Sequence, residues 1–435
     1  MKKVASIILL WLLLPGLATV VAGELIPVPS FSNHEVPTTE VAPGEWSAWE
    51  VVHVVFLFAA LVLATLFALV ARSRKYLLAL CVVSLIWFGF WRGGCICSIG
   101  ATQNVAQGLC DRGFTIPLSV LAFFLLPLVF TLFFGRTFCA AVCPLGAVQE
   151  LVAVRNVRVP RWLDHTLGVF PFIYLGAAVL FAATGTAYLI CRYDPFVPLF
   201  RASGNASMVL IGVCVIVISL FVGRPYCRYL CPYGAILGLL SRVSKWHVRI
   251  VPGECINCRL CEDACPYGAI EAPISAEPPE QRARGKRHLA WILLATPGVI
   301  AVMAWLGTTW SGPLSRLDFE VRLAEQVKLE EMQQAEATDA SDAFRNEGRS
   351  PSDLYAEGIK RQQQYARLGG WLGVWIGVVL SAKLVQLSVR RGRSDYRPNQ
   401  SNCVACGRCF RSCPVELVRL GLIEDVSEKV EEARA

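Results

Sequence analysis

The chain has 435 residues, of which 55% are hydrophobic and only 17% are charged, below the quarter that is usual for a soluble domain. Several apolar stretches of about 20 residues indicate an integral membrane protein. The net charge of +8 needs no nucleic-acid partner, because membrane proteins collect lysine and arginine in cytoplasmic loops. The sequence shows no phosphate-binding loop, nucleophile–base pair or paired catalytic carboxylates, which argues against the common hydrolase and kinase classes.

The N-terminal residues 1–23 combine Met1-Lys-Lys, a short apolar core and small residues at their end, a pattern typical of a signal peptide. An uncleaved membrane anchor fits the same pattern, so both interpretations stay open. Residues 24–48 are acidic and rich in proline, and they are predicted to form an exported linker.

Seven apolar segments predict an all-α polytopic membrane protein, with the main membrane domain over residues 49–245. The predicted spans are 49–71, 76–91, 114–134, 167–190, 207–222, 289–308 and 369–389. Basic residues cluster at the ends that this topology places inside: Arg72, Lys75, Arg155, Arg158, Arg161, Arg242, Lys245, Arg249, Arg282, Arg284, Lys286, Arg287, Arg390, Arg391 and Arg393. By the positive-inside rule these ends are cytoplasmic, whereas the acid-rich loop 309–368, which is helical in pattern from Leu317 to Met332, is predicted to be exported.

Two cysteine runs lie in segments predicted to be cytoplasmic, residues 246–288 and 390–435. They are Cys255, Cys258, Cys261 and Cys265, and Cys403, Cys406, Cys409 and Cys413. Both follow the C-x2-C-x2-C-x3-C-P spacing that holds [4Fe–4S] clusters, in which the fourth cysteine binds the other cluster of a two-cluster ferredoxin. We therefore expect two clusters with crossed ligands, so that Cys413 joins the first three cysteines of the first run and Cys265 those of the second. Zinc is disfavoured because its sites use two separated pairs.

An internal repeat carries four more cysteines. The segment Gly135-Arg-Thr-Phe-Cys139-Ala-Ala-Val-Cys143-Pro parallels Gly223-Arg-Pro-Tyr-Cys227-Arg-Tyr-Leu-Cys231-Pro, and each copy follows an apolar span. Cysteines four apart are predicted to share one face of a helical turn, so two facing turns would bring four thiols together. The group could be a third iron–sulfur centre or a dithiol/disulfide pair, or the cysteines could simply be packed as small hydrophobic residues.

A weaker third copy, Cys95-Ile-Cys97-Ser-Ile-Gly-Ala-Thr-Gln103, is predicted on the other membrane face, at the level of Cys191. Cys95, Cys97 and Cys191 could form an outer redox centre or a structural disulfide, because that face is oxidising. Cys81 and Cys214 are expected only to pack. No haem is expected, because His53 is the only histidine within a predicted span.

The Cys-x3-Cys-Pro repeats, together with the two ferredoxin runs, resemble the membrane polyferredoxin family that includes NosR and NapH, from Trp49 to Pro414. Arg228-Tyr-Leu-Cys-Pro and Tyr193-Asp-Pro-Phe look closer to NosR. The resemblance implies electron transfer between quinone or cytoplasmic donors and periplasmic reductases, with nitrous oxide reduction as the process that NosR supports. NosR has an exported flavin-binding domain where this chain has only residues 24–48, so any flavin is expected on a separate partner.

These observations predict a multi-pass iron–sulfur protein of the inner (cytoplasmic) membrane that holds two [4Fe–4S] clusters in a cytoplasmic ferredoxin module. It would pass electrons between a cytoplasmic or quinone-side donor and a periplasmic flavoprotein or reductase, as a redox component rather than a stand-alone enzyme. Two alternatives stay open: an assembly or maturation reductase for a metalloenzyme, and a membrane redox sensor that regulates transcription.

Overall fold

The computed structural model describes residues 48–94, 97–111, 113–155, 157, 159–204, 206–250, 255–274, 279–389 and 394–426, with residues 279–282 described by their backbone alone. The predicted signal peptide or anchor lies outside these residues. So do nearly all of the predicted linker, Cys95, Arg158, the side chain of Arg282 and the basic residues Arg390, Arg391 and Arg393.

Helices make up most of the described chain. In the first half they are α1 Ala48–Thr65 with a π-helical extension Leu66–Val70, α2 Arg74–Ser84 with a π-helical extension Leu85–Trp91, α3 Ser98–Cys110, α4 Leu118–Phe134, a π-helical turn Phe138–Val142, α5 Pro144–Val152, α6 Arg161–Leu167, α7 Phe170–Ala183, α8 Leu189–Arg192, α9 Val197–Arg201 and α10 Ala206–Ser219. Next come α11 Pro225–Tyr229, α12 Pro232–Leu240, a 3-10 turn Ser241–Val243, α13 Leu260–Ala264 and strand β1 Ile270–Glu271. The remainder is α14 Pro279–Thr309, α15 Ser311–Ser315, α16 Phe319–Glu331, α17 Asp339–Asn346, α18 Pro351–Ser388, strand β2 Arg397–Pro398, α19 Arg408–Ser412 and α20 Pro414–Arg419.

Each predicted span contains an apolar helix, which confirms the all-α membrane class. Within the described residues, five helices are long and apolar enough to cross a membrane: Ala48–Val70, Arg74–Trp91, Arg161–Ala183, Ala283–Thr309 and Pro351–Ser388. The helices Leu118–Phe134 and Ala206–Ser219 are apolar but shorter.

The predicted span 167–190 is wrong at both ends. Its helix begins at Arg161 and stops at Ala183, where Gly185 adopts a left-handed backbone with φ +70°. Glycine commonly ends helices in this conformation because it has no Cβ to clash. The following residues, including Cys191, therefore sit in a separate short helix rather than at the end of the span.

The core of the membrane domain is built around the first copy of the cysteine repeat. Ala140, Ala141 and Val142 are each at most 2% exposed, and they pack with Leu57, Leu61 and other buried residues of the first two spans. The helix α5 that follows is buried along almost its whole length. The repeat therefore lies inside the bundle and not on its lipid-facing surface.

The helices α14 and α18 form a long hairpin of their own. Their contact is very close, because Gly373 of α18 lies against the backbone of Met303 in α14, and Gly307 lies against Gly369. Small residues at such crossings let membrane helices approach by backbone contact. Beyond the hairpin, the predicted helix from Leu317 to Met332 is confirmed as α16, which packs with α17 and the start of α18 around Val327, Phe344 and Leu354.

This crossing makes a prediction about two glycines in the hairpin. A Cβ at Gly373 would overlap the Met303 carbonyl oxygen, whereas a Cβ at Gly298 in α14 would meet nothing within 4 Å. We expect Gly373→Ala to destabilise the protein by about 1 to 3 kcal/mol through overpacking. Gly298→Ala should be neutral or favourable, because alanine is the better helix former.

Thermal unfolding of the two variants in the same detergent measures this difference. Equal midpoints for the two variants would contradict the backbone-to-backbone packing.

Candidate iron–sulfur sites

The two ferredoxin runs fold into the same local structure. The residues that flank the second cysteine of each run, Asn257 and Arg259 in one and Ala405 and Gly407 in the other, all have φ between +52° and +74°. A helix of five residues follows in each run and carries the third cysteine. The fourth cysteine then ends that helix in an extended conformation. This fold wraps three sulfurs around one point and directs the fourth elsewhere.

The structure brings the two runs together in the crossed arrangement expected from the spacing. The Cys261 thiol interacts with Cys413 of the other run as well as with Cys258 and Cys255 of its own. In the other half, Cys403, Cys406 and Cys409 each interact with Cys265. We call the group of Cys255, Cys258, Cys261 and Cys413 ferredoxin site 1, and the group of Cys403, Cys406, Cys409 and Cys265 ferredoxin site 2.

Ferredoxin site 1 surrounds a small cavity that all four of its cysteines line, together with the apolar side chains of Ile250, Ile256, Tyr396 and Val415. Antiparallel pairing of β1 with β2 aligns Ile270 with Pro398 and holds the two runs side by side. The two sites are neighbours, because Cys409 of site 2 also interacts with Cys261 of site 1.

Burial makes these sulfurs unfavourable as free thiolates. It raises the pKa of Cys261 to about 12 and that of Cys403 to about 12, with neighbouring thiols adding to the effect. A bound metal reverses this preference, because a coordinated thiol is deprotonated. The donor set therefore fits a cationic iron–sulfur core better than a pair of free, reactive thiols.

The structure brings the four cysteines of the internal repeat close to one another. Cys231 interacts electrostatically with Cys227, Cys143 and Cys139, so all four belong to one group, which we call the repeat site. Their local structure differs from the single helical turn that was predicted. Cys139 and Cys227 lie in short helical turns, but Cys143 and Cys231 are extended residues that cap the next helices, because a proline follows each at the first helical position.

Two arginines cross between the copies of the repeat. Arg224 of the second copy donates hydrogen bonds to the carbonyl oxygens of Cys139 and Ala140 in the first. Arg136 of the first copy lies 3.2 Å from the position that a Cβ on Gly234 would occupy in the second. Gly146 faces Arg224 in the same way at 3.3 Å. This reciprocal contact is the geometry expected for two copies related by a pseudo-two-fold axis.

The repeat site lies next to ferredoxin site 2. Cys139 packs against the same buried cluster, Tyr267, Ala269 and Val404, as do Cys265, Cys403 and Cys406. Arg136 strengthens the junction by donating to the Ser401 carbonyl oxygen at 2.9 Å and to the sulfur of Cys139 at 3.7 Å. The three groups of cysteines therefore form a continuous series from ferredoxin site 1 into the membrane domain.

Glu150 holds this junction together. Its carboxylate accepts hydrogen bonds from Arg74 and Arg408 at 2.7 Å each, from Arg224 at 3.2 Å and from the Tyr267 hydroxyl at 2.5 Å. Although burial alone would favour the neutral acid, the three guanidinium groups hold the pKa of Glu150 far below its usual range. One buried carboxylate therefore joins the second apolar helix, both copies of the repeat and both ferredoxin runs.

The third copy has the same helix-cap geometry as the second. Cys97 caps helix α3, and its sulfur accepts from the Gly100 amide at 3.2 Å, just as Cys231 accepts from the Gly234 amide at 3.2 Å. The sulfurs of Cys97 and Cys191 both lie within 3.4 Å of the position that a Cβ on Gly100 would occupy. The structure therefore brings Cys97 and Cys191 together, while Cys95 lies outside the described residues.

Sequence reasoning missed several residues of these sites, among them Glu150, Gln149 and Asp194. The Gln149 amide donates to the sulfur of Cys227 at 3.3 Å, and its carbonyl oxygen accepts from the Tyr226 amide. Asp194 is 3% exposed beside Cys97. Gln149 and Asp194 could have been found from the internal repeats. Gln103 occupies the same position in the third copy as Gln149 in the first, and Cys191-Arg-Tyr, which precedes Asp194, repeats Cys227-Arg-Tyr. Glu150 has no such counterpart.

The structure separates the two cysteines that were expected only to pack. Cys81 is buried and lies 3.4 Å from the Ala140 carbonyl oxygen, whereas Cys214 is exposed on α10. Among the described residues, no three His, Cys, Asp or Glu side chains converge closely enough to hold a single metal ion. A cluster differs from such a site because its iron atoms are spread over several ligands.

Family models agree with this division of the chain. A 4Fe-4S binding domain model matches twice, over residues 116–162 and 205–251, so that each match contains one copy of the cysteine repeat. A second 4Fe-4S binding domain model matches residues 248–271, the first ferredoxin run. The family models therefore support both the duplication and the iron–sulfur character of the chain.

Several curated proteins are similar to part of the chain. Protein NirI of Paracoccus denitrificans is 36% identical over 154 residues, covering 32% of this chain and 22% of that protein. YccM of Escherichia coli is 31% identical over 156 residues, covering 32% and 43%. Regulatory protein NosR of Pseudomonas aeruginosa is 32% identical over 164 residues, covering 32% and 22%. The chain thus spans less than half the length of these relatives. No solved structure matches it.

The Glu150 junction predicts a large cost for a small change. Glu150→Gln leaves three buried guanidinium groups without their counter-charge, and we expect a loss of about 3 to 5 kcal/mol in stability. Thermal unfolding of the purified protein and tryptic cleavage of the ferredoxin runs would both report the loss.

The matched control is Glu325→Gln, which removes the exposed ion pair with Arg316. Such surface pairs contribute about 0 to 1 kcal/mol. A Glu150→Gln variant as stable and as protease-resistant as this control would show that the carboxylate does not hold the junction.

Proposed function

We propose that this chain, which belongs to the NosR/NapH-type family of membrane ferredoxins, carries electrons across the membrane through iron–sulfur sites in series. An iron–sulfur electron-transfer role is supported by the family models and the relatives. The transmembrane route, its partners and its direction are our proposal. The observation that carries it is the unbroken series of cysteine groups from ferredoxin site 1 through ferredoxin site 2 to the repeat site.

Neighbouring cysteine groups in the series lie close together. Ferredoxin sites 1 and 2 are joined by the pair of Cys261 and Cys409. Ferredoxin site 2 and the repeat site are joined through the buried residues Tyr267, Ala269 and Val404, against which Cys139, Cys403 and Cys406 all pack. Beyond the repeat site, Cys143 and Cys97 line one small cavity. Clusters at these sites would supply one-electron carriers, and the protein would fix their spacing.

The residues around the repeat site fit a cluster. The N-termini of α5 and α12 point at it, so the helix dipoles favour negative charge there. Arg136 and Arg224 add positive charge, and Gln149 donates a hydrogen bond to sulfur. Glycine at positions 146 and 234 leaves room that a side chain would fill. Net charge and hydrogen bonds to sulfur are what set the potential of such a centre.

We further propose that ferredoxin sites 1 and 2 face the cytoplasm, as the positive-inside rule predicts. The donor would then be a cytoplasmic protein or a quinone, and the acceptor a periplasmic flavoprotein or reductase. The exported part of the route would end near the acid-rich segment that contains α16 and α17. Electron flow in the opposite direction uses the same sites.

A membrane redox sensor is a second candidate, favoured by one observation. Two relatives, from Stutzerimonas stutzeri and Pseudomonas aeruginosa, bear the name Regulatory protein NosR. A sensor needs clusters but no net transfer across the membrane. Measured transfer therefore separates the two functions.

The crossed ligand arrangement predicts how double substitutions combine. Cys413→Ser and Cys258→Ser both act on ferredoxin site 1, so the double variant should lose about four iron atoms, no more than either single variant. Cys413→Ser with Cys406→Ser acts on both sites and should lose about eight.

Iron and acid-labile sulfide per chain on anaerobically purified protein provide the measurement. The opposite result would show that each run holds its own cluster. In that case Cys413→Ser with Cys406→Ser would lose about four iron atoms, and Cys413→Ser with Cys258→Ser about eight.

Transfer itself is tested in liposomes that contain the full chain, with cytochrome c trapped inside and dithionite added outside. We expect the chain to speed cytochrome reduction, and we expect Cys227→Ser combined with Cys231→Ser to remove the gain and about four iron atoms. Cys214→Ser is the matched control, because Cys214 lies in an apolar helix away from the sites.

Two results would count against the proposal. Unchanged iron and unchanged transfer in the double variant would make the repeat site structural. Normal iron in the unaltered chain with no transfer would favour the sensor.

A further inference from the structure

We propose that Cys97, Cys191 and Asp194 form a further iron–sulfur site with mixed thiolate and carboxylate ligands. We call this group the third site. It extends the electron path proposed above, but its existence can be tested without any measurement of electron transfer.

The sequence around Cys191 is a shortened copy of the repeat. Cys191-Arg-Tyr-Asp194-Pro-Phe aligns with Cys227-Arg-Tyr-Leu-Cys231-Pro-Tyr if one residue is removed before the proline. Asp194 then occupies the position of Cys231. In the structure, Cys191 lies in a short helix as Cys227 does. Asp194 precedes Pro195 in the turn that leads into α9, whereas Cys231 caps α12 directly before Pro232.

The two halves of the third site meet. Cys97 interacts electrostatically with both Asp194 and Cys191. Gly100 stands between the two sulfurs, each within 3.4 Å of the position that a Cβ would take, so any larger residue would fill the space that they share. Asp194 is 3% exposed, and its described hydrogen bonds come from backbone amides, including Phe196 at 2.9 Å. Burial of a carboxylate without a guanidinium or ammonium partner is energetically unfavourable, and a bound cation would offset that cost.

A second, independent observation comes from Gln103. In the repeat site, Gln149 accepts from the backbone amide before Cys227 and donates its Nε2 to the Cys227 sulfur. Gln103 accepts in the same way from the Ile190 amide, the residue before Cys191, at 2.5 Å. Its Nε2, however, has no partner although the residue is fully buried. If Gln103 is oriented toward Cys191 as Gln149 is toward Cys227, its Nε2 donor points toward the Cys191 sulfur. A cluster bound there would offer sulfur acceptors to this donor.

The position of the third site suits electron transfer from the repeat site. Cys97 and Cys143 line the same small cavity. On another side, Phe196, two residues after Asp194, packs edge-to-face on Tyr226, with ring centroids 5.2 Å apart. Tyr226 directly precedes Cys227, so one aromatic pair separates the two groups.

The test is iron, acid-labile sulfide and EPR of the anaerobically purified full chain, compared among variants. Cys191→Ser and Asp194→Ala should each lose one centre, and Cys214→Ser should lose none. Asp194→Cys restores the residue of the repeat site, so it should keep the iron and change the EPR spectrum of one centre only. This variant decides the matter if the others do not fold.

A hydrogen-bond test uses a matched pair. Gln103→Met should lower the reduction potential of the third site alone, because it removes a donor to sulfur, and Gln149→Met should lower that of the repeat site alone. If the glutamines were only structural, each substitution would change the stability of the protein without changing the reduction potential of one particular centre.

The proposal is overturned if iron and EPR are the same in Cys191→Ser, Asp194→Ala and Asp194→Cys as in the unaltered chain. It is also overturned if differential alkylation shows that Cys97 and Cys191 become reactive only after reduction, which would identify a disulfide. A normal third site together with failed cytochrome reduction in liposomes would reject the proposed function and leave this site in place.

Discussion

The contact of Glu150 with three arginines and one tyrosine is the interaction on which the rest of the structure depends. Its partners come from the second apolar helix, the second repeat copy and both ferredoxin runs. Displacement of any of these segments would therefore remove a hydrogen-bond partner from the buried Glu150 carboxylate. One carboxylate does not balance three guanidinium groups, and burying the surplus is costly. Anionic clusters in the adjacent cysteine groups would supply the missing negative charge, which explains why so much positive charge is buried next to sulfur.

The repeat shows how one short sequence produces a ligand group. Cysteine followed by proline and, two residues later, glycine starts a helix with the sulfur at its cap, and the glycine amide faces that sulfur. Two copies related by a pseudo-two-fold axis place four sulfurs and two positive helix ends around one point. Because each copy is completed by the arginine of the other, neither is a site by itself.

Much of this arrangement could be predicted from the sequence, since cysteine spacing encodes local geometry. The two ferredoxin runs, their crossed approach and the convergence of the four repeat cysteines needed only spacing, repetition and the placement of basic loops. Glu150 could not be found this way, because its partners lie at positions 74, 224, 267 and 408 and only the tertiary fold brings them together. The expected helical turn from Cys139 to Cys143 was wrong because the proline after Cys143 makes that cysteine a cap.

The hairpin of α14 and α18 explains how a ferredoxin module can be assembled from two distant parts of the chain. The first run ends before α14, and the second begins after α18, so the segment between them must leave and return to the same place. Backbone contact through Gly307, Gly369 and Gly373 keeps the outgoing and returning helices close along their crossing. The strands β1 and β2 then meet, and each run supplies the fourth cysteine of the other run's group. Glycines in the hairpin thus hold together the two helices that connect the two incomplete cysteine runs.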